Sequence, residues 1–327
     1  PQLHLEVLQS LSKVLMGLGQ TTQVQELLQR GTDLLRQLLS EETRSDESKK
    51  QLALKFAGFD QLAVDLAVES GDLVEAWEIA EQGKNTCLNW LLYGWNDHIY
   101  SPYYGAIQQL FNPTTAIIYW HISPVALHTF ILKDQAPSPI LLFTPMQDTG
   151  AITLGEDAIR LNELPLPEAV QRLIEFENWL EDWHQQYQEY RRTAQDKESK
   201  SQHSWRVEME AKLLQLYEIL NISTIAQELE GITQLVLIPH RDLYRLPIHT
   251  LFHLSSPSVE ELPNVESNFT VTYLPSAQIG LSIRTEDIWQ WQNKLLLSVE
   301  HPESTGYPTL KFAKLESEVV SQMFNNI

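Results

Sequence analysis

The residues best suited to chemistry lie in Leu235–Phe252, LVLIPHRDLYRLPIHTLF. A short apolar run ends there at Pro239 and releases His240, Arg241, Asp242 and Arg245 into a loop. Open α/β sheets bind ligands outside the carboxyl ends of their strands, so a strand over this run makes the loop a candidate site. The competing reading has Leu243, Leu246 and Leu251 pinning the loop to the core while its charges face water. Cys87 could be a thiolate nucleophile with any of the ten histidines. It sits in Lys84-Asn-Thr-Cys-Leu-Asn-Trp on an apolar-rich helical stretch, which favours a core cysteine. His249 and His253 are four apart and would share a helix face, but no third metal ligand is evident. His121 and His128 are expected to satisfy local hydrogen bonds within a strand pair. The Trp179, Trp183, Tyr187 and Tyr190 stripe reads as packing, and the Glu41-Glu42 and Glu260-Glu261 pairs as solvated loop charge.

Several familiar chemistries have no motif here. No glycine pattern leads into Gly-Lys-Ser/Thr, and Gly17-Leu-Gly19 closes a helical stretch without a third glycine. Neither His-Glu-x-x-His nor Gly-x-Ser-x-Gly occurs. The expected cofactor set is therefore empty, and no metal is expected.

Any such loop must be held by a fold, and the composition supports one. The chain has 327 residues, 43% hydrophobic, with nine tryptophans, enough for two domains and a substantial core. The net charge of −20 makes nucleic acid or an anionic membrane surface a poor partner. A protein partner or protein substrate is the expected class. A single cysteine permits no intrachain disulfide and fits a reducing, cytoplasmic setting. Residues 98–132 carry no Asp, Glu, Lys or Arg, yet Pro102, Asn112, Pro113 and Pro124 interrupt them, which argues against a spanning helix. No basic-then-apolar leader is visible. The sequence starts at Pro1 and stops within an element at Ile327, so it reads as part of a longer polypeptide.

Residues 1–100 show helical periodicity. Leu3, Leu5, Leu8, Leu11, Val14, Leu15 and Leu18 form a first stripe; Val24, Leu27, Leu28, Leu34, Leu35 and Leu38 form a second, with Thr21 or Thr22 as N-cap. Gly31 inside the second costs about 1 kcal/mol against Ala. Ser40–Lys50 reads as a loop, followed by helices over Leu52–Glu69 and Leu73–Leu92. These paired helices resemble tetratricopeptide repeats, although Gly19 and Gly71 stand further apart than the period of about 34 residues.

The period then changes. Thr114–Ile122, Val125–Leu132 and Pro139–Phe143 read as strands. A helical hairpin follows over about 166–230, its polar tip at Thr193–Ser204 being the expected protease-sensitive site. Strands are expected again at Thr233–His240, Phe269–Leu274 and Lys294–Val299, with helices over Gln278–Trp291 and near the end, where Phe312, Leu315, Val319, Val320 and Met323 share a face. The fold class is α/β behind an all-α repeat-like region, with helices on both faces of a sheet that has parallel members.

The strand followed by Pro-His-x-x-Leu-x-x-Leu-Pro-x-x-x-Leu-Phe resembles the signature opening the sheet of CHAT domains, the caspase-like domains found beside tetratricopeptide repeats. Ala80-Glu81-Gln82-Gly83-Lys84 resembles the helix leading into that domain, and Ala116–Trp120 its first strands. Leu295–Val299 and LKFAKLESEV, with Glu316 and Glu318, resemble its later strand and helix. The resemblance implies a helical region over 1–100 and the front of a CHAT domain over 101–327, its caspase-like mixed sheet incomplete at the C-terminus. It further implies a cysteine endopeptidase in the whole molecule, with the helices binding a partner. The family's His and Cys follow the next two strands in His-Gly and Ala-Cys contexts; neither pair occurs in this sequence, so no catalytic residue is assigned. His240 and Arg245 would border the substrate site. Arg241 stands where a small residue, often Gly, is usual, so a different loop conformation is expected. A non-catalytic interaction scaffold is the alternative, and an unrelated enzyme using the His240–His253 loop a third.

Overall fold

The computed structural model describes residues 1–41, 43–93, 101–142, 167–193, 197–254 and 269–285. Pro1–Leu281 form one compact unit and Ser282–Ile327 a second. The strand expected at Lys294–Val299 and the last helix lie outside the described residues, as does the Glu260-Glu261 pair.

Five helices open the chain: α1 (Gln2–Gly17), α2 (Thr21–Leu39), α3 (Asp46–Lys55), α4 (Gly58–Ser70) and α5 (Leu73–Tyr93). The stripes meet in a core that includes Leu5, Leu8, Val24, Leu28, Phe56, Phe59 and Leu62. Three local expectations change. Thr21 is already helical and Gln20 occupies the cap without a side-chain bond. The Ser40–Lys50 loop is shorter than expected, because the Ser45 hydroxyl accepts from the Ser48 N–H and starts α3 inside it. The helix expected over Leu52–Glu69 is two, parted at Phe56-Ala57, which lets Phe56 and Phe59 both turn into the core. Gly71, at φ +80, ends α4 as a left-handed cap where glycine carries no Cβ penalty.

After α6 (Tyr104–Ile107) come β1 (Thr115–Ile122), β2 (Leu127–Lys133) and β3 (Ile140–Leu141). The helical insertion follows as α7 (Glu168–Arg192), α8 (Lys197–Ser201), α9 (Ser204–Val207), α10 (Met209–Ile219) and α11 (Ile222–Gln227). Strand β4 (Gln234–Ile238), a 3-10 turn at Arg241–Arg245, α12 (Ile248–Leu251), β5 (Thr270–Tyr273) and α13 (Ala277–Thr285) complete the described elements. The strand order is β3-β2-β1-β4-β5. Strand β2 runs antiparallel to β1, whereas β4 is parallel to β1 and β5 parallel to β4.

The sheet is a middle layer. All eight residues of β1 are buried, and strand alternation sends them to two cores. Ala116, Ile118, Trp120 and Ile122 pack with Leu173, Phe176 and Leu216 of the insertion. Ile117 and Tyr119 pack with Ala76, Trp77 and Ala80 of α5. Burying each large side chain is worth about 1.5–3 kcal/mol, so β1 is the fold's central ridge. No described helix is long and apolar enough to cross a membrane.

Candidate functional site

The carboxyl ends of the parallel strands β1 and β4 are in register, Tyr119 opposite Ile238. His121, two residues beyond Tyr119, and His240, two beyond Ile238, therefore leave the sheet side by side on the α5 face. Their rings stack with centroids 4.9 Å apart and 15° between planes. Nδ1 of His240 accepts the Ile122 N–H at 2.9 Å, so the neutral ring carries its proton on Nε2. His121 is 3% exposed, and neither ring nitrogen has a hydrogen-bond partner. Burial drives both imidazoles well below the ordinary histidine range, and Lys84 and Arg241 push the same way. The backbone of Gln61 works weakly against this at His121 without reaching hydrogen-bond geometry. Both rings are neutral near pH 7.

Helix α5 supplies the lysine above them. Ala76, Trp77, Ala80, Glu81 and Lys84 share its inner face, the last two buried despite their charge. Nζ of Lys84 donates to the carbonyls of Pro239 and, at 3.3 Å, of Trp120. It also lies 4.6 Å from the Tyr119 ring centroid. One amine thus ties together the ends of β1 and β4. Burial lowers its pKa to about 7, with Glu81 and then Cys87 opposing. The Glu81 carboxylate accepts from Asn85 Nδ2 at 3.1 Å and from the Gln278 N–H at 3.0 Å, joining α5 to the first turn of α13. Its pKa is raised by burial, against those bonds and Lys84.

His121, His240 and Lys84 border a cavity of about 380 Å³, walled on its other sides by Leu35, Leu39, Ala57 and Ile79. Cys87 also lines it and is partly exposed, which corrects the expectation of a core cysteine: its neighbours on the cavity side leave open space. Its thiol is pushed up by burial and by Asp60, with Lys84 opposing. A thiol held protonated is a weak nucleophile.

Arg241 is in the left-handed region, at φ +52, and turns the chain away from the cavity. Arg241 and Asp242 border a second cleft of about 460 Å³ on the opposite sheet face, with Glu177, Glu181 and His184 of α7. Arg245 is 72% exposed at its side chain and reaches Asp242 at 3.6 Å. His240 and Arg245 are therefore not brought together. Leu243, Leu246 and Leu251 are buried and do pin the loop.

The other histidines separate as well. Nε2 of His128 lies 2.6 Å from Asp65 Oδ1, a buried bond between β2 and α4. His249 bonds to the Tyr273 hydroxyl through its N–H at 2.9 Å and Nδ1 at 3.1 Å, and His253 faces solvent. Among the described residues no group of three or more His, Cys, Asp or Glu could hold a metal. The aromatic stripe is packing, and Trp205 completes it against Trp183, Tyr187 and Tyr190.

Besides Cys87, sequence reasoning misjudged His121, whose expected local bond is absent. Glu81 and Lys84 were legible as site residues only through their phase, because they continue the apolar Ala76, Trp77, Ala80 stripe of α5. Comparison with protein-family models, curated proteins and solved structures gives no match to this chain.

Proposed function

We propose that this chain is the front portion of a repeat-plus-CHAT protein, the whole molecule being a caspase-like cysteine endopeptidase that acts on a protein substrate. Helices α1–α5 then bind a partner, and the α/β layer is the scaffold of the active site. The observation that carries the reading is the passage from β4 through Pro239-His240 into a left-handed residue at Arg241. A glycine adopts that conformation without cost, which fits the small residue usual at this point of the signature, whereas Arg241 adopts it here with a side chain. The parallel order β1-β4-β5 agrees too. Leu237 pairs with Tyr273, so strands added in parallel beyond β5 would bring a His and a Cys at their carboxyl ends to the edge that holds His240. The chain itself has neither a His-Gly nor an Ala-Cys pair, and the reading requires both from further sequence.

Intact mass and peptide mapping of the natural polypeptide, followed by cleavage of a peptide library with and without a thiol alkylator, test this. The expected outcome is a strand–His-Gly and strand–Ala-Cys continuation, with cleavage that alkylation abolishes and Cys87→Ser leaves unchanged. A polypeptide lacking either residue overturns the peptidase and leaves the interaction scaffold. The protonated state of Cys87, the chain's single thiol, favours that second reading for these 327 residues taken alone.

A further inference from the structure

The cavity beneath α5 has a polar end with unused hydrogen-bonding capacity. His121 is 97% buried by its 3% exposure, borders the cavity, and has two unpartnered ring nitrogens. A buried imidazole without partners forfeits the hydrogen bonds that water gave it in the unfolded chain. His240 beside it offers Nε2–H, its Nδ1 being committed to Ile122. The remaining wall is mainly apolar, from Leu35, Leu39, Ala57, Ile79 and Leu88, and also carries Asp60 with Arg36, whose charges oppose each other. A space of about 380 Å³ with apolar walls and a few convergent polar groups has the make-up of a small-molecule pocket.

The groups at that end favour an uncharged ligand. Lys84 gives its amine to two backbone carbonyls and faces the Tyr119 ring, so it has little to offer an anion. His240 can donate through Nε2–H alone, whereas a neutral His121 has one donor and one acceptor nitrogen, so the pair suits a group that both accepts and donates. We propose that this cavity binds an uncharged, mainly apolar ring compound bearing one hydroxyl or amide, which hydrogen-bonds to His121 and His240. The proposal does not require the peptidase reading: of the residues it uses only His240 would border that substrate site, and none is assigned a catalytic role.

Cys87 is the only thiol in the chain and lines the cavity, so its alkylation by N-ethylmaleimide, followed by mass spectrometry, reports occupancy. Melting temperature under the same additions is the second readout. Three probes share one ring system: 2-naphthylmethanol, naphthalene and 2-naphthoate. The alcohol is expected to slow alkylation and raise the melting temperature at about tenfold lower concentration than naphthalene, the difference one hydrogen bond makes, and naphthoate is expected to do neither. His121→Phe should erase the preference for the alcohol. Gly83 also lines the cavity, and a Cβ there meets nothing within 4 Å. Gly83→Leu should therefore fill the space from a well-tolerated helix position and abolish the ligand-dependent melting shift without lowering the starting melting temperature. Equal effects of all three probes, no effect of any on either readout, or a shift that survives Gly83→Leu would each overturn the proposal.

Discussion

His121 and His240, which end two neighbouring parallel strands, stack 4.9 Å apart, His121 buried and His240 half-buried. The pairing follows from the β1–β4 register: a slip of one residue would turn one of the two rings to the opposite sheet face.

The contribution of the two histidines to stability should therefore fall as the solution is acidified. Both folded imidazoles are depressed, so below about pH 6.5, where unfolded histidine protonates, the unfolded state binds more protons than the folded one. Each ring contributes a loss of at most about 1.4 kcal/mol per pH unit until its own folded pKa is reached. Glu69 acts in the opposite sense: burial and Asp65 raise it to about 7, so it loses stability as pH rises from 4.5. The decisive quantity is thus a difference. Urea midpoints of the wild type should drop relative to His121→Phe between pH 6.5 and 5, and parallel curves would refute the account.

Arg241→Gly should stabilise the protein. A side chain at φ +52 costs about 1–2 kcal/mol, part of which Gly returns as unfolded-state entropy. A gain of about 0.5–1 kcal/mol is expected, with Arg241→Val losing at least as much. Chemical denaturation of the three proteins should rank them Gly, Arg, Val.

Gly31→Ala should destabilise, although helix propensity alone favours Ala by about 1 kcal/mol. A Cβ at Gly31 would stand 2.3 Å from Phe59 Cε1, and that ring is 1% exposed with little room to move. Overpacking of this kind costs about 1–3 kcal/mol. Calorimetry should find a lower melting temperature, recovered when Phe59→Leu is added.

Asp65 and His128 should show strong coupling. Their 2.6 Å bond joins the helical region to β2, with side chains 4% and 7% exposed. Removing either partner strands the other, at about 2–4 kcal/mol. In a double-mutant cycle of Asp65→Ala and His128→Phe, a coupling energy near zero would mean that the bond adds nothing.

Trp205→Ala should open the helical insertion to proteases. Trp205 lies 4.9 Å from Tyr190 and 5.4 Å from Trp183, holding the short helix α9 against the end of α7. Its loss leaves α8 and α9 with few apolar contacts, and local opening rises accordingly. Limited trypsin digestion should cut about Lys197–Arg206 several-fold faster, with the sheet core intact; cleavage elsewhere first would contradict this.

Local pattern carried much of the fold. β-branched and aromatic content, and for β4 an apolar run ending in Pro, marked β1, β2, β4 and β5 to within a few residues, because strand preference and turn residues act over a handful of positions. The Trp179, Trp183, Tyr187 and Tyr190 stripe was read as packing on the same basis, and the contacts agree. Local pattern failed where a partner comes from far along the chain. Phe59 makes Gly31 necessary, and Trp205 completes the stripe. The start of α3 was missed for a different reason, since its Ser45 cap is local but lies in a stretch whose polarity suggested only a loop.

The sequence by itself determined the helical and strand segments, the Pro239-His240 exit from a buried strand, and the single thiol at Cys87. Tertiary structure alone decided that His121 would meet His240, that Lys84 would bind the ends of two strands, and that Cys87 would border a cavity. The physical reason is range. Periodicity reports which face of an element is apolar, whereas strand order and register decide which distant face it meets, and only that meeting desolvates an imidazole or leaves a space beside a thiol.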